Sequence, residues 1–409
     1  MSKSVLNEGY LRNSKYLNQG KGLEIINNKI KYDLSQCAGS LLLGHNHKIF
    51  KKAIGEVLKK NISNFASPNK FAENYSKQIK KTITSCSKII FCNSGTEAII
   101  KSIRIVKAIN GKKKIVNAVG SWHGSVDKLL FKSNKKLKPQ FLSSGISNED
   151  KKNIILIPYN DIKLSKKILD SNKKRISCII IEPVQASLPT YECKKYLKFL
   201  RDYCDKNKII LIFDELITGL RTNGSTVQKF FDIKADISTY GKCYGAGMPI
   251  GFIAISKKIE NLLNRKKLKV FFGGTFSGNS IIMYIGNRVF NFIQMNKKKI
   301  FNNINLSSKY FQKTLNNFYI NQNLDLKVYR FESIIRLVYT KSSLNNRIQR
   351  DFFESKKNLK INQFRNYILK SKIHYPRSGI IFFPYKISRK DLDFIIKRFK
   401  NGSLKYFKN

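Results

Sequence analysis

The sequence predicts an α/β protein: a mostly parallel sheet covered by helices, followed by a smaller C-terminal α+β domain. Three observations carry that expectation. Short apolar runs alternate with helical stretches from about residue 88 to 255, the mark of repeated β-α-β units. After Lys208 the run Ile209-Ile-Leu-Ile-Phe213 is apolar without interruption, as a strand buried on both faces should be, and it stops at Asp214-Glu215. Two glycine-containing turns, Asn93-Ser-Gly-Thr-Glu97 and Gly273-Gly-Thr-Phe-Ser-Gly-Asn279, each precede a helical stretch, whereas glycine becomes scarce beyond about 300.

Residues 1–50 read as an N-terminal arm, 51–300 as a large domain and 301–409 as the small one. In the arm, Leu23, Ile25, Ile30, Tyr32 and Leu34 alternate on either side of Asn27-Asn28. Asparagine tolerates positive φ, so a small hairpin fits. His45 and His47 share a glycine-containing loop, but nothing else there supplies a third ligand, which argues against a metal site. Helical patterns cover 48–60 and 70–81. Lys88–Cys92 reads as a strand. From the turn at 93–97 a helix runs to about Asn110, apolar except for a stripe of Lys101, Arg104 and Lys107, and Gly111 is placed to end it. A buried helix opening with Ser94, Gly95 and Thr96 offers a phosphate free N–H groups, a positive dipole end and a hydroxyl. Simple N-capping by Ser94 or Thr96 explains the same residues.

Strand Lys114–Val119 leads into Gly120-Ser-Trp-His-Gly124, where the only Trp is either a plate for an aromatic ligand or core filler. Residues 132–153 are polar and basic and read as a surface loop. Ser177–Glu182 is a strand, and 193–207 an amphipathic helix with Tyr196, Leu200, Tyr203 and Cys204 on one face. Ile237–Tyr240 and Ile250–Ile255 are further strands. The last helix is capped by Ser388 and Asp391 and buries Leu392, Ile395, Ile396 and Phe399. Ligands of α/β sheets sit beyond the carboxyl ends of strands. Asp214, ending one strand, and Lys242, just past the next, therefore converge on one crevice.

The net charge of +52 would ordinarily point to nucleic acid or an anionic membrane. Its distribution argues otherwise: lysines are scattered over nearly every segment, and only 15 of the 78 basic residues are Arg, the side chain favoured for bidentate phosphate and guanine recognition. Joint enrichment of Lys, Asn and Ile fits the coding bias of an AT-rich genome and a solvated basic surface. The seven cysteines are odd in number and show no C-x-x-C pair, so neither disulfides nor zinc are indicated, and Cys92, Cys178 and Cys204 read as buried thiols. Met1–Val5 opens no apolar leader, and no segment reaches the ~18 apolar residues of a membrane span. A cytoplasmic, soluble chain is expected.

Six motifs in order, Asn93-Ser-Gly-Thr-Glu-Ala98, Gly120-Ser-Trp-His-Gly124, Glu182-Pro-Val184, Asp214-Glu-Leu-Ile-Thr-Gly-Leu-Arg221, Gly241-Lys242 and Gly274-Thr-Phe-Ser-Gly-Asn279, make the chain resemble the class III aminotransferases. These are pyridoxal-phosphate enzymes of fold type I, the aspartate aminotransferase-like fold. The resemblance spans roughly 20–290. Ser143-Ser-Gly-Ile146 and Pro158-Tyr-Asn-Asp161 bring it nearest the glutamate-1-semialdehyde 2,1-aminomutase branch. It implies a Schiff base between Lys242 and the cofactor aldehyde, with Lys242 then shuttling a proton between Cα and C4′. Asp214 would keep the ring nitrogen protonated. Ser94, Gly95 and Thr96 would hold the phosphate, with Thr275 reaching it from the second subunit of a homodimer. Trp122 and Leu216 would cover the two ring faces. His123 and Arg221 match motif positions, with structural roles expected.

The chain departs from the aminomutases in three places. Asn18-Gln-Gly-Lys-Gly22 lacks the arginine that serves the substrate carboxylate there. Ala186-Ser187 stands where the mutases end their Glu-Pro-Val motif with Gly-Asn. Ile380 replaces a gating glutamate. The expectation is therefore an intermolecular aminotransferase acting on a small amino donor and a carbonyl acceptor. The alternatives are an aminomutase and, last, a protein that binds through its basic surface.

Overall fold

The computed structural model describes residues 17–26 and 28–408. Seven strands form the central sheet: β1 (Lys88–Cys92), β2 (Lys114–Ala118), β3 (Ile154–Ile157), β4 (Ile176–Ile181), β5 (Ile210–Asp214), β6 (Ile237–Gly241) and β7 (Gly251–Ile255). Their order is β1-β7-β6-β5-β4-β2-β3. Strands from β6 to β3 pair in parallel, as expected, while β7 runs antiparallel to both β6 and β1. The reversal has a simple cause. Only residues 242–250 separate β6 from β7, fewer than the roughly twelve a parallel crossover needs.

β4 and β5 are buried at every position, because strands with no polar alternation must lie between two helical layers. On one face, Ile180 and Ile212 pack against Ile99, Ile103 and Val106 of helix α1 (Gly95–Asn110). On the other, Ile179, Ile181, Leu211 and Phe213 meet Leu197, Leu200 and Cys204 of the helix Lys194–Lys206. Each such side chain contributes roughly 1.5–3 kcal/mol of transfer free energy, so these two strands anchor the edge on which the site is built. Helix α1 starts and stops as expected: Ser94 Oγ accepts the Glu97 N–H at 3.1 Å, and Gly111 closes it at φ 66°.

The expected loop at 132–153 is a correction. Phe131–Ser133 and Pro139–Phe141 pair as an antiparallel hairpin, and Asn148–Asn153 is a helix capped by Ser147. The rings of Phe131 and Phe141 lie 5.7 Å apart, and Leu137 and Ile146 pack on the core. Intervening lysines mask these apolar residues in the sequence, and the same polar stretch hides β3 beside them.

The N-terminal hairpin forms as Glu24–Ile25 against Tyr32–Asp33. Asn27 of its turn and the stretch Met1–Val5 lie outside the described residues. Tyr32–Asp33 then pairs in parallel with Ile373–His374, so Leu23, Tyr32 and Leu34 share a core with Phe311, Phe364 and Phe399 of the C-terminal region. The helix Lys297–Asn321 carries residue 300 within it: Ile300 and Ile304 pack with Tyr240 and Phe252, whereas Phe311 and Leu315 belong to the C-terminal core. Helix α2 (Arg347–Ser355) returns from that region to the carboxyl edge of the sheet. In the last helix, Ser388 accepts the Asp391 N–H at 3.1 Å, and Leu392, Ile395, Ile396 and Phe399 are buried, as expected. Cys92, Cys178 and Cys204 are buried free thiols. Among the described residues no helix is long and apolar enough to cross a membrane.

Candidate active site

β5 ends on Asp214 and β6 on Gly241, and in their parallel pairing Asp214 stands opposite Thr239. Asp214 and Lys242 therefore leave adjoining strands at one edge. Asp214 is 4% exposed. Its Oδ2 accepts a hydrogen bond from His123 Nδ1 at 2.6 Å, and its Oδ1 one from the Leu216 backbone N–H at 3.0 Å. His123, itself buried, reaches Asn117 Oδ1 through Nε2 at 3.1 Å. The line Asn117–His123–Asp214 thus runs from β2 to β5 and fixes a carboxylate that would be costly to bury without donors.

Lys242 sits at φ 48°, a left-handed conformation that residues with a β-carbon seldom adopt and that concentrates at functional sites. Burial depresses its ammonium pKa, against the opposing pull of Asp214 and Glu182. Glu182, just past β4, is buried and accepts the N–H groups of Trp122 at 2.9 Å and Ala186 at 3.3 Å. Burial pushes its carboxyl pKa up; His123 counters that and Asp214 adds to it. The loops 120–124 and 182–187 are interlocked, since Gln185 Nε2 also donates to Val119 O at 3.1 Å and Ser121 Oγ at 3.0 Å.

At the start of α1 the packing leaves little room beside glycine. A β-carbon on Gly95 would lie 2.5 Å from Leu216 Cδ1, and one on Gly241 2.7 Å from Ile250 O and 2.9 Å from Leu216 Cδ2. Leu216 thus fills the space between the helix N-terminus and the end of β6. Thr96 Oγ1 accepts the Ser125 N–H at 3.3 Å, and Gly124, at φ 74°, approaches the same oxygen. The first N–H groups of a helix have no intrahelical acceptor, so those of Gly95 and Thr96 are available to an anion. Ser94, Gly95, Thr96, His123, Asp214, Leu216 and Lys242 are therefore gathered at one edge. Trp122 stands beside them 57% exposed, which rules out the core-filler reading. Thr275 is exposed in a loop strapped to α1 by Lys101 Nζ on Phe272 O and Arg104 Nη1 on Phe271 O, each at 2.7 Å. Lys101 and Arg104 of the expected polar stripe of α1 form this strap, with Lys101 buried.

Arg221 is a brace. Its Nε lies 2.9 Å from Gly39 O, and its guanidinium sits 4.7 Å from the centre of the Phe382 ring. His45 Nε2 meets Asp33 Oδ2 at 2.8 Å, and His47 caps the helix Lys48–Lys59. Asn117 and Glu182 are site residues that sequence reasoning misses. A lone amide inside the apolar strand Lys-Ile-Val-Asn-Ala was the available signal for Asn117, and a carboxylate directly after a strand was the signal for Glu182.

Glu215 supplies a stability test. It is fully buried, accepts the Val227 N–H at 2.7 Å and the Thr218 hydroxyl at 3.1 Å, and burial pushes its pKa from 4.5 up to about 7. The folded state therefore favours the protonated form, and the resulting stabilisation, about 3 kcal/mol at 1.36 kcal/mol per unit, is present at low pH and lost as pH rises from about 4.5 to 7. Glu215→Gln, a neutral isostere, is expected to flatten the decline in urea midpoint across that window. An unchanged pH slope would refute the assignment.

Pyridoxal phosphate requires an acid at its ring nitrogen, an amine at its aldehyde and N–H donors at its phosphate. Asp214, Lys242 and the opening of α1 fit those needs, which places the molecule among the pyridoxal-phosphate-dependent α/β enzymes. The chain belongs to the class III aminotransferase family, whose model matches residues 16–327. It is 32% identical over 308 residues to the glutamate-1-semialdehyde 2,1-aminomutase of Methanosphaera stadtmanae, covering 75% of this chain and 71% of that one. To the same enzyme of Caldicellulosiruptor saccharolyticus it is 30% identical over 370 residues, covering 88% and 84%. Among solved structures, an omega-transaminase from Sphaerobacter thermophilus superposes with a TM-score of 0.88 at 18% identity, covering 96% and 92%. A glutamate-1-semialdehyde aminomutase from Pseudomonas aeruginosa superposes at 0.84 with 15% identity, covering 94% and 86%. At these identities the superpositions establish the fold.

Proposed function

We propose that this enzyme moves an amino group between two separate molecules, an amino donor and a carbonyl acceptor, with Lys242 and Asp214 as its catalytic residues. The pairing of a buried lysine, whose pKa burial lowers, with a rigidly held buried acid at adjoining strand ends carries the reading. Bound pyridoxal phosphate supplies an aldehyde that condenses with amino groups and a pyridinium that withdraws electrons. Asp214 holds the proton at the ring nitrogen, with His123 and the Leu216 N–H fixing its two oxygens. Lys242, its pKa lowered, takes the proton from the substrate Cα and returns it one position along. Gly95 and Thr96 bind the phosphate, with Ser94 closing the helix end and Trp122 and Leu216 flanking the ring. Thr275 completes the phosphate site from a second copy. Exposed Phe271 and Phe276 beside it (75% and 60%) supply apolar surface for a dimer contact.

The apolar character of Ile380 favours transfer between molecules. It packs on the core with Phe331 and Phe382, where the resemblance would put a gating carboxylate that helps retain an intermediate. The second reading, a glutamate-1-semialdehyde 2,1-aminomutase, draws on the names of the curated relatives. One assay separates them. The purified enzyme is expected to sediment as a dimer and to make product only when donor and acceptor are both supplied. Conversion of glutamate-1-semialdehyde to 5-aminolevulinate without a second amino donor would establish the mutase instead.

A further inference from the structure

Along the chain the surplus of +52 is scattered, but the parallel topology gathers part of it in one place. Lys112 and Lys113 lead into Lys114 at the head of β2. Lys151 and Lys152 stand just before β3, and Lys173, Lys174 and Arg175 just before β4. The three strands are parallel neighbours, with Lys114 opposite Ile176 and Ile115 opposite Ile154, so all eight cations reach the same edge of the sheet. It is the amino edge, opposite the crevice of Asp214 and Lys242. Lys113, Lys152, Lys173, Lys174 and Arg175 are exposed, the other three partly so.

Acids do not balance this group. The nearest in sequence are engaged elsewhere: Asp150 with Lys128 at 3.1 Å, Glu149 acting on Lys107, and Asp170 with Lys166 at 2.5 Å. The cations crowd one another instead. Lys114 Nζ donates to Lys152 O, and its pKa is lowered by burial and then by Arg175. The other half of the edge is built differently. Asp236, just before β6, takes Arg201 at 3.1 Å and Lys258 at 2.9 Å, and Asp205, before β5, takes Arg201 at 2.7 Å. Like charges held together without an acid between them repel, and an anion from outside relieves the repulsion.

We infer that the β3-β2-β4 half of the amino edge is a docking surface for duplex nucleic acid, gripped by its phosphodiester backbone without regard to sequence. Neighbouring strands lie about 4.8 Å apart, so the three strand starts span roughly 10 Å. A duplex carries one charge per ~1.7 Å of axis, so such a row meets several phosphates at once. Seven of the eight cations are lysines, point charges on flexible stems that suit phosphates and not the two-pronged reading of guanine. A single strand would need exposed aromatic rings for its bases, and the ring beside the patch, Phe141, is covered by Lys151 Nζ at 4.7 Å from its centre. A membrane surface would need exposed apolar side chains, which the three segments lack. Docking at this edge leaves the crevice at the other edge open.

The test uses full-length, cofactor-loaded enzyme and a short fluorescein-labelled DNA duplex, with binding read by anisotropy. In a variant carrying Lys113→Gln, Lys152→Gln, Lys173→Gln and Lys174→Gln together, Kd is expected to rise about tenfold or more, and the slope of log K against log salt to flatten by about 3. A control variant loses four exposed lysines at the far C-terminal end instead, Lys390→Gln, Lys397→Gln, Lys405→Gln and Lys408→Gln, and its Kd should stay within roughly twofold of wild type. Circular dichroism identical to wild type shows that both variants are folded. Equal losses in the two variants would overturn the surface, because binding would then follow net charge alone. Poly-glutamate or phosphatidylglycerol vesicles that displace the duplex at equal charge concentration would overturn the partner class. Wild-type enzyme that fails to bind the duplex at physiological salt would overturn both.

Discussion

Replacing Lys242 by Ala is expected to lower kcat for amino transfer by about 10⁴-fold or more, because covalent attachment and proton transfer at the substrate carbon are lost together. The protein should remain folded. Burial disfavours the Lys242 ammonium, so its folded pKa lies below the ordinary value, and below that folded pKa the charge works against the native state. Removing it leaves thermal stability at neutral pH unchanged or higher. The same shift sets the pH dependence of the wild type: activity should rise with pH through a transition below the 10.5 of an unperturbed lysine, as the amine becomes neutral. Stopped-flow spectra with an amino donor give the measurement. A Lys242→Ala protein that keeps kcat within roughly tenfold of wild type would show that another base does the work.

How far the sequence reveals this site depends on how local the information is. The apolar run into Asp214 and the turn Ser94-Gly95-Thr96 opening α1 are local patterns, and strand, helix, cap and terminating glycine all fall where they predict. β6 and the lysine after it are legible for the same reason. What escapes is pairing at a distance. Nothing in the period of residues 20–34 says that Tyr32–Asp33 will lie beside Ile373–His374. Nothing near Gly120 says that its carbonyl will be held by Arg347. The hairpin at 131–141 was hidden differently, since its two phenylalanines are ten residues apart among lysines and only their contact reveals the pattern. Leu216 shows both limits at once. Its place in the motif is local, but the close packing at Gly95 comes from this side chain and that at Gly241 from it together with the Ile250 carbonyl, groups far away in sequence.

Asp214→Asn should cost about 10³-fold in kcat, near the middle of the range for a positioned proton-holding group. The substitution is informative because it separates two roles. If Asp214 mattered only as the residue that turns the chain out of β5, its work would be the bond from the Leu216 N–H to Oδ1, at 3.0 Å, and an asparagine oxygen accepts that bond equally well. Shape, burial and turn would survive, and so would activity. The other oxygen makes the difference. Oδ2 faces His123 Nδ1 at 2.6 Å, a length typical of a bond in which at least one partner is charged, and His123 is held in turn by Asn117. A neutral amide there gives up the negative charge that keeps a ring nitrogen protonated, and with it the electron withdrawal on which Cα proton removal depends. The expected signature is a large fall in kcat with the Asp214→Asn protein folded and its cofactor retained through Gly95, Thr96 and Lys242. Full activity in that variant would reduce Asp214 to a turn residue and leave the ring nitrogen to be protonated by another group.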